Sequence, residues 1–236
     1  MFSKISSLVL AILLFLVLLG STSNLYVFGV SLGVLIIATF IVNLRRLGWN
    51  MSYLLFPVFF LIGVGGMFSI ITSPTLRLIF LIVSCILFLM VELQLGKESH
   101  FLQNIYLLSA FAIFISIFAL QFYFSLGIYL LALLVFVFSY LMIVQGFAGI
   151  TLPVKKYFSF VIALSCGELA LGLVLWPTYF LVNAIVLFCM FYLMWLFSIS
   201  IFFGKLSVKK IYWQLALVSI VLIVTLTSAS WRPLIA

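Results

Sequence analysis

The chain has 236 residues, of which 68% are hydrophobic and 6% charged, with a net charge of +8. Soluble domains are about half apolar and about a quarter charged, so a water-soluble fold could not hide this much apolar surface. Nine spans of about 20 residues each leave only short connections and no room for a separate soluble domain. In such a chain the basic excess is read as a topology signal and as a partner for anionic lipid head groups, not as a nucleic-acid surface, because no basic stripe with interleaved aromatics lies outside the apolar runs.

In chain order, the apolar runs predict spans at about 5–19, 25–44, 51–71, 77–95, 104–124, 126–147, 157–176, 178–203 and 211–229. Each must be a helix, because an isolated apolar stretch in hydrocarbon satisfies its backbone only that way. The period-2 alternation of a transmembrane barrel is missing. The expected fold is therefore all-α, a single transmembrane helical bundle of about nine spans.

Span one carries a second reading. Lys4, the run Leu8 to Leu19 and then Gly20, Ser21, Thr22 and Ser23 resemble a secretory signal of about residues 1–22, though no Ala-x-Ala cleavage site follows. An uncleaved span is the favoured expectation. The later topology is the same either way.

Span two carries Gly29 and Gly33 in a G-x-x-x-G arrangement, a close-contact face for another span or another chain. Span three holds Pro57, Gly63, Gly65 and Gly66, which read either as a helix break exposing carbonyls or, preferably, as a packing face. Glu92 lies near the cytoplasmic end of span four, where it can extend toward water near Lys97, and is read as structural rather than functional. His100 is placed in the short loop that follows.

Span seven is the most informative. Ser159, Ala163, Cys166 and Ala170 form a small-residue stripe, and Glu168 lies roughly opposite it near mid-span. Small residues admit close helix contact, so span seven is expected to be central and covered on both faces. An ionised side chain at the bilayer centre costs about 2.5–3.5 kcal/mol, so Glu168 is expected to face other helices. Asn183 of span eight lies within about 4.5 Å of its depth at 1.5 Å per residue and is the first candidate partner, with Tyr179 the second. The site then reads either as helix-joining hydrogen bonds or as a proton or cation site of a transporter.

Assigned to alternating sides, Lys4, Arg45, Arg46, Lys97, Lys155, Lys156, Lys205, Lys209 and Lys210 fall together, and Arg77 and Arg232 fall opposite. Nine against two places the N-terminus in the cytoplasm and the C-terminus outside. Trp49, Trp176, Trp213 and Trp231 sit near the predicted interfaces, as an aromatic belt requires. The expected location is a bacterial-type cytoplasmic membrane.

Several activities are excluded by inventory. The chain has no Asp, hence no catalytic Asp pair. One His and no Cys or carboxylate cluster at ligand spacing give no metal site, and nucleotide-binding glycine loops are missing. No cofactor is expected. The favoured reading is a non-catalytic accessory, scaffold or assembly component whose partners are membrane lipids and other membrane subunits or further copies of itself. The alternative is a small-solute or ion transporter working through Glu168.

Overall fold

The structure, a computed structural model, describes residues 2–20, 25–48, 51–95, 100–147, 154–202, 208–229 and 231. Among these the only regular structure is helix: α1 (Phe2–Gly20), α2 (Leu25–Leu47), α3 (Met51–Ile70), α4 (Pro74–Gln94), α5 (His100–Phe124), α6 (Ile128–Gly146), α7 (Val154–Val174), α8 (Phe180–Phe202) and α9 (Val208–Ser228). Seven of them are long and apolar enough to cross a membrane, and α1 and α3 contribute the shorter apolar stretches Lys4–Gly20 and Leu54–Ile70. The protein is a multi-pass helical membrane bundle.

Local chemistry sets several helix ends. Pro74 opens α4, where a missing N–H costs nothing. Gly48, with φ of 70°, closes α2 in the left-handed region, and its N–H donates to the Leu44 carbonyl at 3.0 Å. Pro177 follows α7, whose last turn tightens through Leu175 N–H to Gly172 O and Trp176 N–H to Leu173 O. Within the helices, the hydroxyls of Ser69, Ser109, Ser159 and Ser198 each donate to the carbonyl four residues back. Their polarity is thus absorbed without a partner helix.

The helices group into two compact units, Met1–Ile113 and Phe114–Ala236, with the boundary inside α5. In the first, α1 packs on α2 and α4, and α3 on α2 and α4. Leu14, Leu18, Leu54, Leu61 and Val91 are fully enclosed there, and the Phe60 and Phe88 rings stack at 5.9 Å. In the second, α7 lies between α6 and α8, and α8 also carries α9. Its core includes Leu131, Val135, Ala184 and Leu187, with Phe114 edge-on to Phe191 at 5.4 Å.

Gly63 and Gly65 of α3 serve packing. The helix runs unbroken from Met51 to Ile70 through Pro57, Gly63, Gly65 and Gly66, so the candidate break is a continuous helix. A Cβ on Gly63 would sit 3.0 Å from Ala112 Cβ and 3.2 Å from the Ser109 carbonyl, and one on Gly65 would meet the Leu32 side chain. Gly29 and Gly33 of α2, by contrast, have nothing within 4 Å of a built Cβ. Gly63→Ala is therefore expected to cost about 1–3 kcal/mol, because backbone and a short side chain must move. Gly29→Ala should cost nothing measurable. Unfolding of both variants in a mixed-micelle titration checks the contrast.

Candidate functional site

α7 owes its orientation to its small-residue stripe. Ser159, Ala163, Cys166 and Ala170 are each fully buried. Beside them a Cβ on Gly167 would lie 3.4 Å from both the Ala132 carbonyl and Phe136 Cβ, so α6 and α7 meet backbone to backbone. Helix geometry then fixes everything else on α7, since each residue turns the helix by about 100°. The opposite face is exposed from end to end: Tyr157, Val161, Leu164, Glu168 and Gly172 follow one another along it, with Ser165 half-buried at its margin.

The expectation that α7 is covered on both faces is therefore corrected. One face is buried and the other is open, and Glu168 stands on the open one. The close approach of Gly167 to α6, on the same side as the buried stripe, turns the carboxyl away from the unit's interior. Gly172, one turn further on the same face, has open space where a side chain would stand.

Asn183 does not meet Glu168. It is buried on α8, and its Oδ1 accepts a 2.7 Å hydrogen bond from the Thr178 hydroxyl. Tyr179 is exposed and joins an aromatic cluster instead, 5.3 Å from Phe122 and 4.2 Å from Phe180 between ring centroids. Of the three residues expected to form one polar site, Asn183 and Tyr179 belong to the end of the unit where α5 turns into α6 and α7 into α8. Glu168 stands apart on the helix flank.

That end holds a partly open pocket of about 500 Å³, lined by Gln121, Phe122, Ser125, Leu126, Val174, Trp176, Thr178, Phe180 and Asn183. Its lining includes Asn183 and not Glu168. Ser125 has φ of 50°, a left-handed conformation that is uncommon and strained for a residue with a Cβ.

The first unit contains a structural polar node around Glu92, buried where contact with water is expected. Glu92 does not extend to water; it is fully buried. The Asn43 amide donates to Glu92 Oε1 at 2.8 Å, and Arg46 Nη1 lies 3.6 Å from Oε2. Arg46 also donates from Nη2 to the Glu92 carbonyl at 3.2 Å and from Nη1 to Ser7 Oγ at 3.0 Å. Three helices, α1, α2 and α4, are joined through one guanidinium. The reason is reach: Asn43 and Arg46 are i, i+3 neighbours on α2, and the carboxyl finds them before it finds water. Lys97, Trp49 and Arg232 lie outside the described residues, as does the side chain of His100.

Arg77 donates from Nε to the Ile71 carbonyl at 3.2 Å and sits 5.2 Å from the Phe68 ring centroid. That contact occupies a cation whose role was otherwise topological. Cys85, Cys166 and Cys189 are free thiols. Among the described residues no three His, Cys, Asp or Glu side chains come together as metal ligands. No protein-family model, curated protein or solved structure matches the chain.

Proposed function

We propose that this protein is a non-catalytic membrane component, an accessory or assembly subunit. In this reading it lies in a cytoplasmic membrane of bacterial type, N-terminus inside and C-terminus outside. It docks through the open face of α7 against a transmembrane helix of another subunit. The observation that carries the reading is Glu168, an acid at mid-helix on an exposed face.

Apolar exposure on a membrane helix is satisfied by lipid and implies nothing further. An acid is different, since at the bilayer centre it costs about 2.5–3.5 kcal/mol and is found facing protein or a cavity. The pocket lined by Gln121, Trp176 and Asn183 does not include it. A partner helix with a hydrogen-bond donor at the same depth would remove the cost. Gly172 and Ser165, beside Glu168, let such a helix approach closely. The transport reading would instead need a cavity at Glu168.

A photo-crosslinking amino acid at Leu164, next to Glu168, tests this in native membranes. Ile220 on α9, 62% exposed, is the control for a lipid-facing position. A discrete protein adduct from Leu164 and none from Ile220 is expected. Lipid adducts alone at both positions would end the proposal.

A further inference from the structure

The pocket between the α5–α6 and α7–α8 turns does not include Glu168 and is independent of the α7 face. Its volume of about 500 Å³ falls inside the range of about 300–1,000 Å³ typical of small-molecule sites. Among the described residues that line it, none is charged. A phosphate or ammonium group entering it would lose hydration with no countercharge among these residues to replace it.

What the lining does offer is paired donors and acceptors beside flat apolar surface. Gln121 and Asn183 are amides, each with two donors and an acceptor, and Ser125 and Thr178 are hydroxyls that do both. The Thr178 hydroxyl occupies Asn183 Oδ1, which leaves the Asn183 amide hydrogens for a ligand oxygen. Phe122, Trp176 and Phe180 supply ring surface.

Those rings are held in place before anything binds. Phe122 is edge-on to Tyr123 at 5.2 Å and lies 5.5 Å from Phe180. Trp176 packs on Trp231 at 5.7 Å, and Trp231 Nε1 is itself tied to the Leu226 carbonyl at 3.0 Å. A site whose walls are fixed in advance gives up little ordering entropy on binding.

We propose that this pocket binds an uncharged, hydroxyl-rich ring, a glycosyl group, with the C–H face of the ring on the aromatic wall and its hydroxyls on Gln121 and Asn183. The charge-derived topology puts the pocket at the outer face of the membrane. The sugar therefore comes either as a glycolipid head group or free from the aqueous side.

The test uses the full chain in nanodiscs of phosphatidylethanolamine and phosphatidylglycerol, with a minor fraction of monoglucosyl diacylglycerol, read by native mass spectrometry. The wild-type chain should retain the glucolipid in preference to either phospholipid. Gln121→Leu should weaken retention about tenfold, the loss of one good hydrogen bond. Trp176→Leu, which removes ring surface and no hydrogen bond to the chain's own core, should weaken it comparably and covers the case of a misfolded first variant. Competition by soluble methyl glucoside would identify the free sugar as the ligand, and resistance to it would identify the lipid. Equal retention by wild type and both variants, or preference for the anionic phosphatidylglycerol, would overturn the assignment. Glu168→Leu should leave glucolipid retention unchanged, which keeps this site separable from the α7 face.

Discussion

Glu92→Ala is expected to destabilise the first unit by about 3 kcal/mol, at the lower end of what breaking a buried pair costs. The lower end applies because the Arg46 side chain is 17% exposed and keeps some contact with solvent or head groups. Removing the carboxyl strands the Asn43 amide and leaves Arg46 with only Ser7 and one carbonyl. Glu92 Oε2 and Asn43 Oδ1 already lack hydrogen-bond partners among the described residues, so this node holds helices in register at some cost in stability. For the same reason a paired replacement, Arg46→Met with Glu92→Leu, should return to within about 1 kcal/mol of wild type, since apolar substitution of a whole buried pair is often neutral. Denaturant titration in micelles, followed by helicity, measures both. A shift below about 0.5 kcal/mol for Glu92→Ala would mean an exposed surface pair instead.

Glu168→Leu is expected to act in the opposite sense. Insertion of α7 should become more favourable by about 3–4 kcal/mol, because a mid-span acid is exchanged for a residue that favours the bilayer by about 0.6 kcal/mol. The same variant should lose the partner helix. Glu168→Gln retains a hydrogen-bonding side chain at that depth and should keep the partner. A glycosylation-mapped insertion assay on α7 in the full chain reads the first effect. Unchanged insertion of Glu168→Leu would mean that the carboxyl is already sheltered, and the α7 face would then lose its claim. Removal of the two acids is thus predicted to have opposite signs: truncating Glu92 destabilises its unit by stranding Arg46 and Asn43, and replacing Glu168 relieves the isolated chain.

The helices were legible because hydrocarbon imposes one rule on every apolar run, and the predicted spans fall on α1 to α9 with shifts of a few residues at the ends. The small-residue stripe of α7 and its opposition to Glu168 were also legible, since both follow from helix geometry along a single segment. What composition and spacing do not contain is which face each helix turns to its neighbours. Depth placed Glu168 near Asn183, but the approach of Gly167 to α6, beside the buried Ala163 and Cys166, sets the azimuth and sends the carboxyl outward. Glu92 was misread for a related reason. Its position near a helix end suggested water, whereas the decisive fact, that Asn43 and Arg46 wait at the same level on α2, involves residues far away in the chain. A charge map by depth, with Asn43, Arg46 and Glu92 all near the basic side, contained the signal. The pocket of the second unit joins Gln121, Trp176 and Asn183 across two turns, which no single segment encodes.

The most direct measurement is quantitative copurification from native membranes under mild solubilisation, comparing wild type, Glu168→Gln and Glu168→Leu. A second membrane protein in fixed ratio with wild type and Glu168→Gln, and lost with Glu168→Leu, is the predicted result. The contradicting result is a chain that purifies alone, or only with copies of itself, identically in all three forms.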